Sequence, residues 1–126
     1  MKKVIATPEA PEAVGPYSQA IAVGNLLFCA GQIPLGPETG SLVAGDTAAQ
    51  AEQVLKNIGA VLRANGMTFA DVVKTTVFLT DLADFTKMND VYAKYFTTPC
   101  PARSTIQVAA LPKGANVEIE AIAASS

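Results

Sequence analysis

Apolar positions along the chain recur with two different spacings, and the switches between them divide it into elements. Lys2 to Ala6 is a short, mostly apolar run closed by Pro8 and Pro11. Proline cannot donate to a ladder, so this run predicts a brief first strand. Two further apolar runs, Tyr17 to Val23 and Leu26 to Ala30, are separated by Gly24-Asn25. A Gly-x pair between such runs predicts an antiparallel hairpin with a type II′ turn, because glycine supplies positive φ at the first central position. Gly31, Pro34, Gly36, Pro37 and Gly40 then mark a loop that reaches Gly45.

The spacing changes to three and four at Ala51, Val54, Leu55, Ile58, Val61 and Leu62, with Glu52, Gln53, Lys56 and Arg63 outside the stripe. That is one buried helical face. Thr47 and Gln50 have capping-box spacing at its start, with Asp46 ahead to favour the positive end of the helix dipole, and Asn65-Gly66 supplies a left-handed cap at its end. Val72 to Leu79 is β-branched and apolar enough for a central strand. Asp81 or Asp84 caps a second helix whose stripe is Phe85, Met88, Tyr92, Tyr95 and Phe96, closed by Pro99 and Pro101.

The last quarter alternates. Ala102, Ser104, Ile106 and Val108 share one face of a strand as its apolar side, which turns Arg103, Thr105 and Gln107 away from that side. After a loop around Leu111-Pro112-Lys113-Gly114, Val117, Ile119, Ala121 and Ala123 share a face, while Glu118 and Glu120 share the other with Ile122. Strands that come mostly in the first and last thirds, with two long helices each needing cover, predict an α+β fold: a single mixed β-sheet with two α-helices packed on one face. The length predicts one domain over residues 1–126.

Composition sharpens this picture. Charged residues make up 16% of the chain against roughly 25% in ordinary globular proteins, and apolar residues 50%, so an oligomer that buries surface between copies is expected. A net charge of −2, with Arg63 and Arg103 the only arginines, argues against a nucleic-acid footprint. The chain has no histidine, which excludes a Ser-His-Asp triad, a Cys-His pair and a histidine metal site. Cys29 and Cys100 lack a CxxC spacing, no secretory leader is read at the start, and reduced thiols in a cytoplasmic protein are expected. Cys29, in an apolar run, reads as a core residue, and Cys100, between two prolines, has no base to make it a nucleophile. Ala13 to Pro37 is uncharged but interrupted by glycines, prolines and amides, so it predicts no membrane span.

The acids beside apolar groups on the last strand are unusual for a purely solvated face. An arginine can hold a carboxylate bidentately, and a glutamate can position a water or exchange a proton. On charges and spacing alone, Arg103 with one of the glutamates reads first as a structural ion pair between neighbouring strands and only second as a site.

The runs Pro101-Ala102-Arg103-Ser104, Leu111-Pro112-Lys113-Gly114 and Val117-Glu118-Ile119-Glu120-Ala121-Ile122-Ala123 resemble the signature of the RidA/YjgF family of reactive-intermediate deaminases. Gly15-Pro16-Tyr17-Ser18-Gln19, Gly31-Gln32-Ile33-Pro34 and Val73-Lys74-Thr75-Thr76-Val77-Phe78 match it in the same order, so the resemblance spans nearly the whole chain. It implies a chorismate mutase-like, YjgF-like fold assembling as a homotrimer around a barrel-like core, with clefts at the three subunit boundaries. It implies hydrolysis of small 2-imino acids or enamines, 2-iminopropanoate and 2-iminobutanoate among them, to 2-oxo acids and ammonia without a cofactor. Such intermediates are released by PLP enzymes.

The resemblance also assigns roles. Arg103 anchors the substrate carboxylate, Glu118 activates the water, the backbone carbonyl of Thr105 accepts from the imine nitrogen, Tyr17 closes the cleft, and Gly31 and Asn89 line it. Thr105 stands where many relatives have cysteine, and Ala30 where serine is frequent, so substrate preference is open at both positions. Two rival functions share these features: a non-catalytic binder of small 2-oxo acids, and a ribonuclease or translation inhibitor, against which the acidic balance and the lack of interleaved basic and aromatic residues argue.

Overall fold

A computed structural model describes residues 1–126. Three strands open the chain, β1 (Lys3–Ile5), β2 (Ala20–Val23) and β3 (Leu26–Gln32), followed by the long helix α1 (Thr47–Ala64). Strand β4 (Val72–Leu79), helix α2 (Phe85–Tyr95), and strands β5 (Ala102–Gln107) and β6 (Val117–Ala124) complete it. Short 3-10 turns precede β4, α2 and β6. The sheet order is β1-β2-β3-β6-β4-β5, antiparallel throughout except for the parallel β4–β5 pair, so the sheet is mixed as expected.

The hairpin turn is as the sequence predicts: Gly24 has φ +57° and Asn25 is not in the left-handed region, the type II′ combination. Strand β2 starts only at Ala20. Gln19, just before it, is buried and spends its amide on the N-terminal segment, donating to the carbonyls of Thr7, Ala10 and Pro11 and accepting from the Thr7 N–H.

Helix α1 buries the predicted stripe, and its end is the expected one, with Asn65 at the cap and Gly66 at φ +69°. Its start differs. Asp46, not Thr47, is the N-cap, accepting from Ala49 N–H at 3.1 Å. Thr47 lies inside the first turn, where its hydroxyl donates to Asp84 Oδ2 at 2.6 Å, and Gln50 Oε1 accepts from Asn116 N–H at 2.8 Å. The residues read as a capping box therefore tie the start of α1 to the start of α2 and to the entry of β6. Asp81 caps the 3-10 turn Leu82–Asp84, and Asp84 stands at the head of α2.

The strands assemble in cross-strand rows. Ile5, Ala20, Cys29, Ala121, Thr75 and Arg103 occupy one register line across all six strands. Every member but Arg103, on the edge strand, is buried beneath the helices. The next row, Val4, Ile21, Phe28, Ile122, Lys74 and Ala102, points to the other face, which no helix covers. Val4, Phe28 and Ile106 are exposed there.

Two expectations for the C-terminal strands are corrected by this arrangement. β5 and β6 are not neighbours, because β4 lies between them. The Ala102, Ser104 and Ile106 side of β5 is the open one, and Arg103 and Thr105 point to the helix-covered face. The small and apolar residues of that strand are thus not evidence of a core side; the core side ends in the arginine.

Asp46→Ala is expected to cost about 1 kcal/mol of stability in urea unfolding, the usual value of a lost side-chain N-cap. An unchanged midpoint would return the capping role to Thr47.

Candidate active site

The chemistry-bearing residues fall into two groups on opposite faces of the sheet. On the covered face, Arg103 ends the core row, and its guanidinium carbon lies 4.7 Å from the centre of the Tyr92 ring and 5.5 Å from that of Phe85. These rings are two turns apart on α2. With Asn89, Ala93, Phe96, Cys100 and Pro101, the arginine and Tyr92 line an open cavity of about 490 Å³. Asn89 Oδ1, on that wall, and Thr105 Oγ1, two residues along the strand from Arg103, are buried without hydrogen-bond partners. Buried polar atoms without partners are uncommon and costly, and here both belong to residues singled out from the sequence.

On the other side, Gly31 sits where the β3–β6 register shifts between Cys29 and Gln32. A Cβ built on Gly31 would overlap the Glu118 carboxyl group, so only glycine lets the strand pass this close to the acid. Glu118 lies opposite Phe78, whose other register partner is Ile106. Burial in these surroundings, and then the neighbouring Glu120, raise the Glu118 pKa above the ordinary carboxylate value. Glu120, opposite Thr76, is exposed.

Tyr17 is 55% exposed and lines, with Gly31, Gln32 and Lys113, a cavity of about 570 Å³. It follows a tight turn in which its N–H donates to the Gly15 carbonyl at 2.9 Å. The Gln19 clamp fixes the segment just upstream of this turn.

The predicted site residues therefore divide as follows. Arg103, Asn89 and Thr105 belong to the covered half; Gly31, Glu118 and Tyr17 belong to the other. No ion pair between Arg103 and Glu118 or Glu120 joins strands of one chain, since the arginine and the acids lie on opposite faces with β4 between their strands. Phe85 and Tyr92, read from the sequence only as core stripe, flank the arginine, and Phe85 is 38% exposed rather than buried. Their signal was present in the sequence as two aromatics seven apart on a helix, but nothing there pointed them at Arg103. Cys29 is buried as expected, its thiol pushed up to about 12 by burial, and Cys100 is exposed and free.

Fold and site together define a small α+β protein that displays an aromatic-bedded arginine on one face of its sheet and a partly buried carboxyl of raised pKa on the other. The chain belongs to the family described as Endoribonuclease L-PSP, the RidA/YjgF family, whose profile matches residues 7–125. It is 55% identical over 126 residues to Protein DfrA of Myxococcus xanthus, covering 98% of this chain and 96% of that one. It is 50% identical over 123 residues to the human 2-iminobutanoate/2-iminopropanoate deaminase, covering 98% and 90%. The fold superposes with a TM-score of 0.93 on the crystal structure of E. coli TdcF with bound serine, 46% identical, covering 98% of this chain and 99% of that one. No helix of the chain is long and apolar enough to cross a membrane.

The raised pKa of Glu118 has a definite sign for stability. A carboxyl that binds its proton more tightly in the folded state than in the unfolded one stabilises the fold at low pH. That contribution is lost as pH rises from the ordinary carboxylate pKa through the raised one. Glu118→Gln removes the penalty on the charged form, so the variant should unfold at higher denaturant than wild type at neutral pH, with the gap closing on acidification to pH 4. A gap that instead widened on acidification would show that Glu118 is stabilised as a carboxylate.

Proposed function

We propose that the protein hydrolyses small 2-imino acids and their enamine tautomers to 2-oxo acids and ammonia, in a cleft completed between copies of the chain in a homotrimer. The observation that carries this reading is Glu118, a carboxyl of raised pKa pressed against a glycine backbone beside apolar groups. A carboxyl whose pKa is shifted toward neutrality is suited to taking and returning a proton, which a salt-bridged structural glutamate is not.

The chemistry assigns each group a task. Arg103 holds the substrate carboxylate with its guanidinium fork, a geometry lysine does not reproduce. Glu118 takes a proton from water as the oxygen bonds to the imine carbon and passes that proton to the imine nitrogen, whose N–H donates to the Thr105 carbonyl, to give a neutral carbinolamine. Glu118 then takes the hydroxyl proton as the C=O forms and delivers it to that nitrogen as the C–N bond breaks, so ammonia leaves and the carboxylate is regenerated. One water is consumed, and no oxidant or cofactor enters the balance. Tyr17, exposed beside Gly31, closes the cleft, and Asn89 lines it next to the arginine.

Several observations support the shared cleft. Arg103 and Glu118 lie on opposite faces, so one chain by itself does not bring them together, and the helix-free face carries an exposed apolar row suited to burial against another copy. The low charged fraction agrees. The human relative named as a 2-iminobutanoate/2-iminopropanoate deaminase supports the substrate class, and the serine bound to TdcF supports a small amino-acid-like ligand on this fold. Free thiols at Cys29 and Cys100 fit a reducing, cytoplasmic setting.

The test is a coupled assay in which an amino-acid oxidase or a PLP-dependent dehydratase generates the imine and 2-oxo acid release is timed. Wild type should accelerate release; Arg103→Lys and Glu118→Gln should each lose roughly two to four orders of magnitude in rate, and Glu120→Gln should stay near wild type. Glu118→Gln should still bind 2-oxobutanoate. An active Glu118→Gln would refute the proton-exchange role of Glu118, and wild type that binds 2-oxobutanoate but releases 2-oxo acid no faster than the spontaneous rate would refute the deaminase reading in favour of a binder without catalysis.

A further inference from the structure

Arg103 differs from the rest of its cross-strand row in being a charged group at the end of a line of core residues. Its register partner on β4 is Thr75, fully buried on the same face. Thr75 is too short to reach the guanidinium's outer edge, and its hydroxyl goes elsewhere: Thr75 Oγ1 and the Tyr92 hydroxyl lie 2.6 Å apart, a buried hydrogen bond between β4 and α2. That bond fixes the far end of the ring over which the guanidinium sits at 4.7 Å, and Phe85 lies at 5.5 Å from the same carbon. Burial pushes the Tyr92 phenol above its ordinary value, so it stays protonated and able to share this bond.

Arginine has many rotamers and a strongly directional fork. Its use as an anchor depends on being held in one orientation before the ligand arrives, because ordering it on binding would subtract from affinity. An aromatic face within 6 Å attracts the guanidinium and takes water from one side of it while leaving its N–H edges free.

We infer that Tyr92, locked by Thr75 and assisted by Phe85, is a positioning residue that preorganises Arg103 to receive a carboxylate. The inference rests on the reading of Arg103 as the carboxylate anchor. The ring lies under the guanidinium, and its effect passes through the arginine. A defect here should therefore weaken carboxylate capture and leave the later proton transfers at Glu118 alone.

The experiment measures KM and kcat for imine hydrolysis, and Kd for 2-oxobutanoate by calorimetry, in Thr75→Val, Tyr92→Phe, the double variant and Phe85→Leu, with Arg103→Ala alongside. Thr75→Val and Tyr92→Phe nearly preserve volume, and Phe85 is partly exposed, so all three should fold. Each of the first two should raise KM and Kd roughly 3- to 10-fold with kcat within about twofold, and the double variant should be no worse than either alone because both remove one bond. Phe85→Leu should raise KM and Kd about 2- to 5-fold by loss of the second ring. A purely structural role would lower thermal stability without this split between KM and kcat. Wild-type KM and Kd in all of these variants, with Arg103→Ala unable to bind, would overturn the positioning role while leaving the anchor intact. Undiminished binding in Arg103→Ala would overturn the anchor, and the positioning role with it.

Discussion

The alternation of side chains across the β6–β4–β5 part of the sheet is the constraint on which the rest depends. Because Thr75 stands between Ala121 and Arg103 in the register, and Phe78 between Glu118 and Ile106, the arginine and the acid are committed to opposite faces. One face is filled by two helices and the other by none. The arginine is thus embedded in the edge of a packed core, where aromatic rings from α2 meet it, while the acid stands beside Phe78 on a face with no cover of its own. For the proposed hydrolysis this makes assembly part of the chemistry, since a second copy must bring the missing half.

The two halves are held by different physics. Arg103 is fixed by dispersion and cation–π contact and by a buried hydroxyl pair beneath it, none of which requires a carboxylate partner that would compete with the ligand. Glu118 is set by close approach: Gly31 removes the side chain that would push it away, and the surrounding apolar groups raise its proton affinity. In a chain without histidine, a carboxyl whose pKa is raised in this way is the natural group for proton exchange in the proposed reaction.

Much of the fold was legible because its signals are local. The stripe from Ala51 to Leu62, the Gly24-Asn25 turn and the β-branched run at Val72 each declare an element within a few residues. What failed was what only the tertiary arrangement decides. Asp46 and Thr47 are both good caps, and the choice fell to Asp46 because Thr47 is drawn to Asp84, 37 residues away. The face of β5 was misread because Ala102 and Ile106 resemble a core side, whereas the partner that covers Arg103 comes from α2. That β4 separates β5 from β6 follows from a parallel crossover through α2, which periodicity does not encode. Arg103 and the glutamates of β6 stand out by charge and alternation, the roles expected of them and of Gly31 and Asn89 come from the family resemblance, and the contacts of Tyr92 with Thr75 and Arg103 emerge only from distances.

The most direct measurement of the central claim is complementation between two inactive variants. Arg103→Ala and Glu118→Gln, unfolded together and reassembled as a one-to-one mixture, would form mixed rings in which some clefts take an intact arginine from one copy and an intact glutamate from the next. If the cleft is shared, turnover should return from near zero to about a quarter of wild type, the fraction of boundaries that random assembly makes intact. Mixed assemblies, verified by a mass tag on one variant, that remained as inactive as either parent would show that both residues serve the same chain and would contradict the account.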